Sequence, residues 1–256
     1  MNDKQDFYAR NKLMLREQQK NEKLKKLSKD WFVESTYTEY TYHFEWLGMP
    51  VIQLPQDLIA IQQLIWTAKP DVVVEMGIAR GGSLIYYASI LELLSLCDPS
   101  SSGVVLGIDV DIRPHNRHDI ENHPLSKRVH TYEGSSTDQS TIEYVRRFVA
   151  DYENPLIILD SNHTHDHVLE ELRAYAPLVS IGSYCVVFDT VIDDLPNHLF
   201  VDREWDNSAN PKTAVHQYLA ELADAKGNVP KFEIDKEIEA RLLLTVGPDG
   251  YLKRIS

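Results

Sequence analysis

The sequence predicts an α/β protein built on a mostly parallel sheet, with helices on both faces. Short apolar runs alternate with stretches of helical periodicity along most of the 256 residues. Four of those runs end in an acid, at Glu75, Asp109, Asp160 and Asp189. The first, Asp71 to Ser83 (DVVVEMGIARGGS), leads through a glycine turn into an apolar helical stretch. Alternation of this kind implies right-handed crossovers between parallel strands.

The elements follow in order. Met1 to Lys29 is rich in Lys, Glu, Gln and Asn with sparse Leu and reads as a solvated helix, one that also suits contact with a second subunit. Trp31 to Pro50 is dense in aromatic residues and suits a core-capping layer, a lid over a pocket or an oligomer contact. Residues 1–50 are thus expected to form an N-terminal extension to a domain spanning 51–256. Gln56 to Thr67 has helical periodicity and Pro70 closes it. Val72-Val73-Val74 suits a strand buried on both faces, and Leu84 to Leu94 a helix. Strands are predicted at 104–109, 129–132, 155–160 and 184–189, with helices at 137–150 and 164–175. A helix around Thr213 to Leu222 and a short strand near Phe232 come next. The last predicted pair is Leu242 to Val246, a Pro248-Asp249-Gly250 turn, and Tyr251 to Ile255.

The turn after the first strand carries the first chemical signal. Gly77 permits a tight turn, and Gly81-Gly82 let the backbone approach a ligand. The helix opening at Ser83 points free N–H groups back at that turn. The spacing E-x-G-x-x-x-G is looser than the dinucleotide fingerprint G-x-G-x-x-G. It suits a ligand with an amino acid and a ribose but no phosphates, as in S-adenosylmethionine. In open α/β sheets ligands bind outside the carboxyl ends of the strands.

The strand-end acids carry the second. On one sheet edge the four carboxylates converge, which is unfavourable unless a ligand or cation compensates them. Asp109 ends the second strand, where doubly wound folds place an acid on ribose hydroxyls. Ser135 and Ser136 follow the third strand and suit an adenine edge or a helix cap. Asp160 and Asp189 suit Mg²⁺, with the Thr190 hydroxyl as a further ligand. His163, three residues past Asp160, is placed to accept a proton at neutral pH. His165 and His167 are expected on the first turn of the next helix, partly exposed. The run His163-Thr-His165-Asp-His167 also raises a zinc hydrolase, but its register is off by one and further ligands are not obvious.

Composition excludes other classes. The formal charge of −13 argues against nucleic acid as a partner. No stretch has the apolar length of a membrane span, and the charged N-terminus lacks an apolar segment, so a cytoplasmic protein is expected. Cys97 and Cys185 both read as buried thiols.

Long stretches of the chain resemble the cephalosporin hydroxylase/rhamnosyl O-methyltransferase family. They are WLGMPVIQLPQDLIAIQQLIW, PDVVVEMGIARGGSLIYYASILELL, GIDVDIRPHNR, LDSNHTHDHVLEELRAYAPLVSIGSYCVVFDT, NPKTAV and LLLTVGPDGYLKRI. The resemblance implies a Rossmann-like class I methyltransferase sheet of seven strands, the last antiparallel. It implies S-adenosylmethionine-dependent, Mg²⁺-assisted O-methylation of a sugar or glycosylated natural product, with polysaccharide or antibiotic biosynthesis as the setting. Related macrolide-sugar enzymes pair a metal Asp with a His three residues on, matching Asp160 and His163. Catechol-type relatives take a metal Asp from the fifth strand, matching Asp189; Thr190 stands where they have Asn. Some relatives have Glu-Asp where this chain has Phe188-Asp189.

The expected site therefore has Glu75, Gly77, Arg80, Gly81 and Ser83 at the methionine end of the cofactor and Asp109 at its ribose. Asp160 and Asp189 hold Mg²⁺, and His163 takes the acceptor's proton. A homo-oligomer is the expected assembly. Two other classes stay open: a metallohydrolase built on the histidine run, and a catalytically silent partner of the same fold.

Overall fold

The computed structural model describes residues 3–256; Met1 and Asn2 of the expected N-terminal helix lie outside the described residues. That helix is two: α1 (Asp3–Lys20) and α2 (Glu22–Thr36). They break at Asn21, whose side chain accepts from the Leu24 N–H and so starts the second helix. A hairpin follows, β1 (Phe44–Trp46) and β2 (Met49–Val51), turning at Leu47-Gly48, both with positive φ. It straddles residue 50 and packs on the main body. Trp46 meets the Tyr86 ring edge-on and donates its indole N–H to Ser89. This end of the aromatic segment caps the core, while Tyr37 and Tyr42 stay exposed.

The remaining elements are α3 (Pro55–Ala68), β3 (Val72–Met76), α4 (Gly82–Cys97), β4 (Val104–Asp109), α5 (Pro114–Asn122), β5 (Val129–Glu133) and α6 (Gln139–Val149). Then come β6 (Pro155–Leu159), α7 (His165–Tyr175), β7 (Tyr184–Val187), α8 (Pro211–Asp224), β8 (Phe232–Ile234), α9 (Lys236–Leu242) and β9 (Tyr251–Arg254). Helix α5 arises in a stretch without apolar periodicity; Pro114 starts it, and only Asn116 and Ile120 are buried.

Seven strands form one sheet in the order β5-β4-β3-β6-β7-β9-β8. The first five are parallel, and β9 lies antiparallel between β7 and β8. Strand order reverses at β3, so the crevice at its C-terminal end is the topological switch point. Two expectations fail here. Leu242 to Val246 is not a strand: Asp235 caps α9, which runs to Leu242, and the chain then turns at Leu243 with φ 61°. Cys97 is exposed, because the last turn of α4 projects past its final buried residue, Leu94; Cys185 is buried in β7.

The sheet has a core on each face. Val73, Leu156, Ile158, Val186 and Phe188 pack against α3 and α4. Val72, Val74, Met76, Ile157, Leu159 and Val187 pack against α6, α7 and α8. The two-residue period then fixes where the acids go. Glu75 shares a face with Val73 and enters the α4 side. Asp160 follows Ile158 onto that same face.

Candidate active site

The β3 turn is tied to its neighbours through the backbone. Gly77 donates to the Ile108 carbonyl at 2.8 Å, and the Asp160 N–H donates to Met76 at 2.8 Å. Gly77 has φ 99°, and a Cβ there would stand 2.0 Å from the Asp160 carbonyl oxygen. Only glycine brings the turn against the end of β6. The following pair also makes room for protein. A Cβ on Gly82 would meet the Pro50 carbonyl at 2.1 Å, and one on Gly81 the Ile120 side chain at 2.6 Å. On their Cβ sides these glycines admit the hairpin and α5, while Gly82 also lines the slot beside Gly77.

Glu75 is wholly buried. It accepts from the Ser83 hydroxyl at 2.5 Å and the Tyr87 hydroxyl at 2.8 Å, one on each oxygen. Ser83 and Tyr87 are one turn apart on α4, so the carboxyl locks the start of that helix. Burial pushes its pKa up to about 8, and Asp109 adds to the rise. Glu75 therefore faces into the protein and sets Ser83 in place.

Asp109 stitches the glycine loop. One carboxylate oxygen accepts from Ile78 N–H at 2.8 Å and Ala79 N–H at 3.3 Å; the other accepts from Asp111 N–H at 3.1 Å. It lines a cavity of about 290 Å³ with Gly77, Ser135, Ser136, Asn162 and His167. Neither serine caps a helix. Helix α6 starts later, with Asp138 in the cap position. Ser135 meets Thr137, and Ser136 meets His167 Nε2 at 2.9 Å. A second, narrower slot opens on the other side of Gly77 and is lined by Gln53, Arg80, Ser83 and Asp160.

Beside that slot, Asp160, His163 and Asp189 each bring a ligand atom to within 4.8 Å of the other two. His163 Nε2 lies 3.2 Å from Asp189 Oδ2. Burial raises the Asp160 carboxyl well above its usual range, and Asp189 and Glu75 push it further. Asp189 has φ 55°, a left-handed conformation that costs a non-glycine residue energy and re-aims the chain at the end of β7. Asp and Asn tolerate it best. Trp205 meets the His163 ring edge-on at 4.9 Å, and the Arg203 guanidinium lies over the indole at 5.4 Å.

Two positions differ from expectation. The Thr190 hydroxyl donates to the Pro248 carbonyl at 2.6 Å, so Thr190 anchors the 248–250 turn instead of joining the acids. Phe188 stands next to Asp160 in register and on the same face, where some relatives would place a ligand. It is buried edge-on against Tyr251. The third group beside the two acids is His163, whose Nε2 faces Asp189.

The histidine run diverges. His165 bonds Thr213 and Gln217 and so ties α7 to α8. His167 turns the other way, to Ser136, Ser161 and the buried Glu171. Burial opposes charge on His167, but the Glu171 carboxyl outweighs it and raises its pKa. Among the described residues the three histidines do not form one metal cluster. Sequence reasoning missed Gln53 and Trp205, and it placed His167 on the first turn of α7 without its link to Ser136. The i,i+4 spacing of His167 and Glu171 was the one available signal.

Comparison with known proteins places the chain. A family model described as Rhamnosyl O-methyltransferase/CmcI matches residues 38–255. The rhamnosyl O-methyltransferase of Mycobacterium tuberculosis is 29% identical over 225 residues, 85% of this chain and 79% of that protein. Its counterpart in Mycobacterium leprae is 26% identical over 210 residues, 82% of each. Among solved structures, CmcI with Mg and S-adenosylmethionine aligns with a TM-score of 0.56 at 18% identity, covering 84% of this chain and 78% of that one. The MycE methyltransferase of mycinamycin biosynthesis, in complex with Mg, S-adenosylhomocysteine and mycinamycin VI, aligns with a TM-score of 0.51 at 17% identity. That match covers 87% of this chain and 54% of MycE. Both share the fold.

Proposed function

The chain belongs to the Rhamnosyl O-methyltransferase/CmcI family, and from that premise we propose that it methylates a hydroxyl of a sugar or glycosylated small molecule, using S-adenosylmethionine and Mg²⁺. The observation that carries this reading is the contact between two half-sites. The β3 turn, at the switch point, touches the end of β6, and the Asp160–His163–Asp189 cluster begins there. A donor lying across the turn reaches an acceptor held at the cluster without either leaving the crevice.

The residues fit both groups. Two carboxylates side by side, one with its charge strongly disfavoured, suit a hard divalent cation that keeps open positions for substrate. The cavity around Asp109, Ser135 and Ser136 suits a nucleoside, and the slot at Arg80 and Ser83 an amino-acid head. When bound, Mg²⁺ supplies charge that acidifies the acceptor hydroxyl, and S-adenosylmethionine supplies the methyl group. The chain's own residues position and move the proton. Asp189 orients His163, and His163 in its neutral form accepts the hydroxyl proton. Glu75 acts through Ser83 and does not itself face the cleft. Trp205, beside His163, offers a flat apolar surface of the kind sugar rings stack on.

The test is incubation with labelled methyl donor and a panel of nucleotide sugars, with and without EDTA. Label transfer should require the metal. Asp160→Ala and His163→Ala should each lower turnover about 10²- to 10⁴-fold, with the affinity for S-adenosylhomocysteine retained. Full activity of His163→Ala would remove the base assignment, and EDTA-resistant transfer would remove the metal.

A further inference from the structure

Gln53 lies in the link between β2 and α3, 3% exposed, and neither its amide nitrogen nor its amide oxygen has a hydrogen-bond partner. A carboxamide buried with both ends unpaired is costly, and native structures keep few of them. The side chain lines the narrow slot beside the glycine turn, facing the same space as Arg80, Ser83 and Asp160. The Tyr87 hydroxyl and the Asp160 carboxyl are its polar neighbours, and the amide lowers the pKa of both, but neither contact reaches full hydrogen-bond geometry. Tyr87 is already committed to Glu75.

An amide in this state is satisfied by a ligand that brings a donor and an acceptor together. An α-amino acid does so: its ammonium donates to Oε1 and its carboxylate accepts from Nε2. We propose that Gln53 reads the amino-acid end of the methyl donor, with Arg80, which lines the same slot, attracting the same carboxylate. The inference rests on the reading of this crevice as a methyl-donor site. It adds a residue from outside the β3 turn, carried by the hairpin side of the molecule. Gln53 thereby becomes a specificity residue that separates the intact donor from nucleosides lacking the amino acid.

The experiment is calorimetric titration of the full chain and of Gln53→Met with two ligands. S-adenosylhomocysteine carries the amino-acid end; 5′-methylthioadenosine has the same nucleoside without it. Gln53→Met should bind S-adenosylhomocysteine about 10- to 100-fold more weakly, the loss of hydrogen bonds to charged groups. Its affinity for 5′-methylthioadenosine should stay within about two-fold. The melting temperature of the ligand-free variant should fall little, since the amide has only its loose contacts with Tyr87 and Asp160 to lose. Gln53→Leu, a second apolar replacement, removes both amide groups as well and should give the same split. Unchanged affinity for S-adenosylhomocysteine, or equal weakening of both ligands, overturns the proposal. If the unmodified protein binds neither ligand, the methyl-donor reading falls first and takes the proposal with it.

Discussion

Glu75 is where folding changes a side chain's chemistry most usefully for an experiment. Its carboxyl goes from an ordinary 4.5 to about 8, driven by burial against the opposing pull of Ser83 and Tyr87. The folded state therefore holds the proton more tightly than the unfolded chain. This group's contribution is complete below about pH 4.5 and declines as pH climbs toward about 8. Asp57, raised to about 6 chiefly by burial, slopes the same way over a lower window. The melting temperature of the ligand-free protein should thus fall as pH rises, and Glu75→Gln should flatten the part between about pH 6 and 8. An unchanged slope in that variant would assign the effect to Asp160. At this scale much was legible. Parallel strands put their C-terminal residues on one edge, so Asp160, His163 and Asp189 could be grouped from position alone. Gln53, His167 and Trp205 could not, because each reaches the site from a loop or helix start whose residue pattern carries no period.

Among the elements, the 242–250 segment shows how a local preference loses to a tertiary contact. Its Leu-Leu-Leu-Thr-Val run favours a strand, but α9 extends to Leu242 and the rest is recruited by a buried acid on α3. Asp57 accepts from Thr245 at 2.5 Å, the Val246 N–H at 2.9 Å and the Tyr251 hydroxyl at 2.7 Å. The turn so held also receives the Thr190 hydroxyl on Pro248, directly behind Asp189. Asp57→Ala would orphan three buried donors at once and should cost about 3 kcal/mol, a drop of roughly 6–12 °C in melting temperature. Metal affinity should fall with it, since the segment behind Asp189 loosens. A loss of stability with full metal affinity would uncouple the two. The parallel strands gave no such difficulty, since continuous apolar runs ending in acids leave few alternatives.

At the level of the whole molecule, helix α1 meets the body near its C-terminal end, where Gln18 donates to the Ala240 carbonyl at 2.7 Å. Helix α1 has no buried residue, yet it carries Phe7, Tyr8, Leu13 and Met14, each at least half exposed. We propose that a second copy of the chain covers it. Sedimentation should find an oligomer that Phe7→Ser combined with Leu13→Ser shifts to a smaller species, with the sheet intact by circular dichroism. A monomer in both cases would leave α1 a solvated helix.

The place of β9 in the sheet has a consequence for biosynthesis. Strand β8 has no neighbour until residues 251–254 slot in beside it, and Val187, two residues from Asp189, donates to the Gly250 carbonyl. A growing polypeptide emerging from the ribosome would therefore have all five parallel strands, β3 to β7, before the edge that braces Asp189 exists. Chains ending before Gly250 would lack the strand that braces the residues leading to Asp189.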